Sequence, residues 1–120
     1  MTELAKKAVE EFGTRDVYEI ARRLGVSIDF ARWPLVTVGE CEACTIRVNL
    51  TALDRAPHRR GWFSRDGLAR IIVAHELGHL LAARWGVEDK RADEGLIHDF
   101  VRELLELQFD PAECERFWKR

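Results

Sequence analysis

The stretch SRDGLARIIVAHELGHLLAARWG, residues 64–86, carries the longest helical pattern in the chain. Ser64 is a suitable N-cap and Gly86 a suitable stop. Between them Leu68, Ile71, Ile72, Leu80 and Leu81 make the segment broadly apolar, which predicts a central helix with the rest of the chain packed around it. Within it, AHELGHLL (74–81) sets His75 and His79 four residues apart with Glu76 directly after the first. Residues i and i+4 lie on one helix face, roughly 6 Å apart along the axis. Two imidazoles can therefore be aimed at one point, while Glu76 sits about 100° further round.

Two histidines at the edge of a core helix explain each residue singly. They do not explain three ionisable groups within five residues of an apolar helix, where burial without partners is costly. The spacing is the H-E-x-x-H pattern of zinc peptidases, in which the histidines hold the metal and the glutamate works on a water. A catalytic zinc site has three protein ligands and one open position. The third donor is expected from a following element, with Glu88, Asp89, Asp93, Glu94, His98 and Asp99 as candidates. For an acid at a helix start the plain role is capping; for His98 it is a half-buried helix histidine. Two imidazoles and a carboxylate also accept Mn2+ or Fe2+ in place of Zn2+.

Outward from the central helix, Leu4, Ala5, Ala8, Val9 and Phe12 predict a helix over 2–12 ending at Gly13, and Thr14 is placed to cap a second containing Val17, Ile20, Ala21 and Leu24. VSIDFARW (26–33) alternates like a strand. The β-rich runs 35–38 and 44–50 flank Gly39, which predicts a hairpin with an enlarged loop. TALDRAPHRRGWF (51–63) reads as a connection with one helical turn. EGLIHDFVRELLEL (94–107) is an amphipathic helix with Leu96, Phe100, Leu104 and Leu107 in phase, and Pro111 opens a short last helix with Cys114, Phe117 and Trp118. The expected product is a single α+β domain over residues 1–120: N-terminal helices, a short, mostly antiparallel sheet, the central helix and C-terminal helices.

A formal charge of −2 gives no global basic excess for nucleic acid. No apolar run spans a bilayer and the amphipathic start MTELAKKAVEEFG lacks a signal-peptide core, so the expectation is a cytoplasmic protein without membrane contact. Three cysteines, Cys41, Cys44 and Cys114, fit a reducing compartment. CEAC (41–44) has C-x-x-C spacing but no second pair, and reads as two incidental thiols.

The segments ARRLGV, TIRVN, AHELGHLL and EGLIHDFVRELL occur in that order, and over roughly residues 14–107 the chain resembles the ImmA/IrrE family of small bacterial and phage metallopeptidases. The resemblance implies a zincin-like fold and a regulatory endopeptidase that cleaves a helix-turn-helix repressor, often encoded beside it in mobile elements. It implies Glu94 as third ligand beside His75 and His79, with Glu76 as the catalytic base. Ile97 and His98 stand where the family usually has Ala-Asn, Val101 replaces Ala, and the usual proline is displaced to Pro111. His98, four residues after Glu94, could orient His75, stabilise an oxyanion or compete as ligand. Tyr18 and Arg84 are further candidates for oxyanion stabilisation, and the hairpin edge could align an extended peptide.

Two rivals stand beside this. EIARRLGVSIDFARW (19–33) resembles a helix-turn-helix, but Pro34 and the alternation of Val26, Ile28 and Phe30 oppose a recognition helix after Ser27, so no direct nucleic-acid binding is expected. A non-catalytic, metal-containing partner of a repressor or toxin–antitoxin pair would close its site with a fourth ligand, for which Cys41, Cys44 or His98 are at hand. The arginines around 55–65 read as a solvated loop, and the tryptophans as core or rim. Oligomeric state is not legible in the sequence.

Overall fold

The computed structural model describes residues 1–35, 37–57, 60–87 and 94–117. Helix α1 is Glu3–Phe12, capped by the Thr2 hydroxyl, which accepts from Ala5 N, and closed by Gly13 at φ 63°. Helix α2 is Val17–Arg23. Its cap is Asp16 rather than Thr14: the Asp16 carboxylate accepts from Tyr18 N, while the Thr14 hydroxyl accepts from Asp16 N one step earlier. Both side chains bond backbone two residues on, and the later one meets a free amide in the first turn of the helix.

Strand β1 is Ser27–Ala31, β2 is Gly39–Glu42 and β3 is Thr45–Asn49, in the order β1-β3-β2. β1 runs parallel to β3 and β2 antiparallel to it, so the sheet is mixed rather than mostly antiparallel. The chain leaves β1 at Ala31 and returns along the far edge of the sheet from Gly39. Asn49 tethers the connection at Trp33 and Thr37. It is fully buried, its amide donates to the carbonyls of Thr37 (2.9 Å) and Trp33 (3.3 Å), and its side-chain oxygen accepts from Thr51 N, capping the short helix α3, Leu50–Leu53.

The expected strand over 35–38 is displaced to 39–42, and of that run Val36 lies outside the described residues. Gly39 is inside β2, not in the turn. A Cβ there would come 2.7 Å from Ile72 Cγ2 and 3.3 Å from Glu76 Oε1, so its bareness lets the strand lie close on the central helix. The turn falls at Ala43–Cys44, where Ala43 takes φ 54°. The loop is therefore tight instead of enlarged, with Glu42 opposite Thr45.

The central helix α4 is Arg65–Arg84; the Ser64 hydroxyl accepts from Gly67 N, and Gly86 follows with φ 65°. Its buried residues, including Leu68, Ile71, Ile72, Val73, Leu77 and Leu81, join Ile46 and Val48 of the sheet in one core. Helix α5 is Glu94–Leu104. It turns Ile97, Phe100, Val101 and Leu104 inward and leaves Leu96 half-buried, a rotation of one position from the predicted face. The reason lies on α4: Gly78 presents no side chain, and Ile97 and Phe100 fill the space a Cβ would take. A 3-10 turn over Pro111–Phe117 closes the described chain and buries Pro111 and Cys114. Ser27–Ala31 is strand, so no recognition helix follows Ser27. Trp118, His58 and Arg59 lie outside the described residues. Arg65 and Arg32 both pair with Asp54, at 2.7 and 3.0 Å, which ties part of the basic segment to α3.

Candidate metal centre

His75, Glu76 and His79 occupy the middle of α4, where the helix is pinned on two sides. β2 lies over Glu76 through Gly39, and α5 lies against Gly78 through Ile97 and Phe100. That second contact brings the first turn of α5, and Glu94 with it, to the histidine pair. His75 Nε2 is 3.4 Å from Glu94 Oε2 and His79 Nε2 is 3.2 Å from Glu94 Oε1. The imidazole rings are 4.9 Å apart between centroids. One donor atom from each of the three residues falls within 4.8 Å of the others.

Burial pushes the His75 imidazole down to about 4, and the Glu94 carboxylate only partly opposes it. Near neutral pH this ring is therefore uncharged, and its contact with Glu94 is no salt bridge. The two nitrogen–oxygen separations also exceed the roughly 2.7–2.9 Å of charge-assisted hydrogen bonds. They do match the edge of a tetrahedron: ligand bonds of about 2.0–2.1 Å to zinc place neighbouring donors roughly 3.3 Å apart. A neutral imidazole, as at His75, is the protonation state in which a histidine binds a divalent cation. Two of the three donor separations thus fit a tetrahedral ion, and all three donors lie within 4.8 Å of one another.

Both imidazoles are 27% exposed and Glu94 59%, so the point of convergence opens to water on the Glu94 side. Among the described residues no cysteine joins the group. Cys41 is half-buried on the α4-facing side of β2, its thiol pushed up by burial and by nearby Glu76, and Cys44 is exposed on the turn. A closed four-ligand centre built with either thiol is not formed. Asp99 turns outward to Arg102 at 3.3 Å. Glu88, Asp89 and Asp93 lie outside the described residues.

Glu76 is half-buried, and its carboxyl is raised above the usual carboxylate range by burial, with Glu94 and Glu40 adding to the shift against His79. A raised carboxylate pKa makes a stronger base. His98 stands one turn along α5 from Glu94, with Nε2 3.9 Å from Glu94 Oε2 and its ring 5.7 Å from that of His75. It borders the site without joining the converging three. Tyr18 packs instead near Arg70 and Asp66 on the first half of α4, and neither it nor Arg84 lines the site.

A pocket of about 130 Å³ opens beside His75, Glu76, Glu94 and His98. Its other walls, Val38, Ile71, Ile72, Val101, Pro111 and Glu115, are not among the expected site residues. The displaced proline was a visible signal for Pro111, whereas nothing local marks Val38, which is set by the Asn49-held connection and the bond from Asn49 N to its carbonyl. No helix among the described residues is long and apolar enough to cross a membrane. No family model, curated protein or solved structure matches the chain.

Proposed function

We propose that this protein is a zinc-dependent endopeptidase of zincin-like architecture. The observation that carries the proposal is the base beside the ligand set: Glu76, half-buried and with a raised pKa, adjoins three converging donors whose fourth side is open. His75, His79 and Glu94 would hold the ion. Zinc so bound supplies a Lewis acid for a peptide carbonyl and lowers the pKa of water toward neutrality.

The remaining steps belong to the protein. The Glu76 carboxylate accepts a proton from the attacking water and returns it to the amine nitrogen that leaves. β2 lies at the sheet edge nearest Glu76, with its outer hydrogen-bonding groups free of any strand among the described residues, and it aligns an extended segment by backbone pairing. His98, which lines the same pocket, would donate a hydrogen bond to the substrate carbonyl as charge develops there. The substrate is a protein segment able to become extended. The family resemblance points to a helix-turn-helix repressor, cleaved inside the cell.

The test is digestion of a repressor encoded beside this gene by metal-loaded wild type and Glu76→Gln. Fragments from wild type alone, with equal metal in both proteins, are the expected result. Capture of the repressor by both proteins without fragments would contradict hydrolysis and leave a binding protein.

A further inference from the structure

The sheet has two open edges, and only β2 lies beside the metal centre. The other edge is β1, separated from β2 by β3. Ser27 N donates to the Cys44 carbonyl at 2.8 Å, so Ser27, Asp29 and Ala31 turn their backbone groups toward β3. Alternate residues of a strand turn theirs the other way. The amides and carbonyls of Ile28 and Phe30 therefore point off the sheet, where no strand meets them among the described residues. Such an edge is a template for one more strand.

Two concave surfaces flank this edge and meet at Phe30, which is 46% exposed. On the helix side, Tyr18, Leu50, Leu53 and Ala69 form with Phe30 an apolar groove of about 380 Å³, ample against the roughly 150 Å³ that accommodates a benzene ring. Arg65 and Asp66 stand at the same groove, but Arg65 is held by Asp54 at 2.7 Å and Asp66 by Arg70 at 3.3 Å. On the outer face, register places Arg47 between Asp29 of β1 and Glu40 of β2, a row with a net negative charge. Asp29 ends that row at the open edge and has no ion pair among the described residues.

A second copy is a poor occupant. Two β1 strands pairing antiparallel through their outward residues, Ile28 against Phe30 both ways, would set one Asp29 directly opposite the other, and like charges so placed are destabilising. Asp29 thus guards the edge against self-pairing. A strand carrying a cation at that position reverses the sign.

We propose that the β1 edge docks an extended segment of a partner protein as a fourth strand, with a Lys or Arg over Asp29 and aliphatic neighbours on the helix side, against Ile28 and in the groove beside Phe30. This surface is independent of the peptidase reading, since it uses neither the metal ligands nor Glu76.

The test uses full-length, nitrogen-15-labelled protein carrying Glu76→Gln, so that no peptide is consumed. It is titrated with end-blocked Thr-Val-Lys-Val-Thr, with the same peptide bearing Glu in place of Lys, and with the Lys peptide N-methylated at both valines. The Ile28 and Phe30 amides should shift. The Lys peptide should bind about fivefold more tightly than the Glu peptide, because opposite charges across two strands attract and like charges repel. Asp29→Lys, an exposed substitution, should reverse that order. N-methylation removes the two peptide donors that face Ile28 and Phe30 and should abolish the shifts. Equal affinity for the Lys and Glu peptides, shifts confined to β2, or no shift at any residue overturns the inference. So does sedimentation of the protein alone as a dimer with its Ile28 and Phe30 amides protected from exchange, which would assign the edge to a second copy.

Discussion

Gly78 sits between the two histidines, and substituting it with alanine sets two effects against each other. In an exposed helix interior, Gly→Ala stabilises by about 1 kcal/mol. Here the new Cβ would lie 2.8 Å from Phe100 Cδ1 and 3.2 Å from Ile97 Cγ2, against ordinary carbon contacts of about 3.5–4.0 Å. Phe100 is fully buried in an interior expected to be close-packed, so α5 must retreat by about 0.7 Å to restore ordinary contact. Overpacking of this kind costs about 1–3 kcal/mol, which outweighs the helix gain. The retreat also carries Glu94 away from His75 and His79, where bond lengths are tolerant to only about 0.2 Å. Zinc affinity should fall roughly 10- to 100-fold, the range found when the support of a ligand is removed. Chelator competition measures the affinity, and urea unfolding of metal-free protein the stability. Gly67→Ala is the control: its Cβ would strike the Gly61 carbonyl and the Trp62 backbone, far from the ligands, so it should cost stability without changing affinity. Phe100→Leu in the Gly78→Ala background should restore part of the affinity. A Gly78→Ala protein that is more stable than wild type and binds zinc equally well would refute the close-approach account.

Three further outcomes follow from the same geometry. Asn49→Ala removes the anchor of Trp33 and Thr37 and the cap of α3; a cost of about 2–4 kcal/mol is expected from several broken buried hydrogen bonds, and a smaller loss in urea midpoint would show that the connection is held otherwise. His75 ionises at about 4 when folded, below its ordinary 6.5. The unfolded chain therefore takes up the proton first, and metal-free protein should lose stability as pH falls from 6.5 toward 4. Glu76, shifted upward, acts in the opposite direction, so the check is wild type against His75→Asn, whose urea midpoint should vary less over that window. His98→Ala should keep full metal content while lowering kcat more than it raises KM; loss of metal would make it a ligand.

Where the pattern was dense, the sequence was enough. Ser64, Gly86 and the apolar period bounded α4 because capping and periodicity agree there. His75 and His79 converge because i, i+4 spacing on a helix leaves no alternative. Glu94 was reached through resemblance rather than spacing, since its position depends on how α5 crosses Gly78, a long-range contact with no local signature. The sheet was misjudged for a related reason. Gly39 looks like a turn residue by propensity, yet it is a strand residue required by the helix beneath it, and Ala43 takes the left-handed turn conformation with no glycine to announce it. The connection from β1 to β2 is tethered by a buried asparagine whose partners lie 12 and 16 residues away. Val38, Pro111 and Glu115 reach the site only through these arrangements.

The most direct measurement is the metal content of protein purified without added metal, taken for wild type, His75→Ala, His79→Ala, Glu94→Ala and His98→Ala in parallel. One divalent ion per chain in wild type and His98→Ala, with none in the other three, is the expected result. Full occupancy in Glu94→Ala, or an empty wild type that fails to take up zinc on titration, would contradict a centre built from these three side chains.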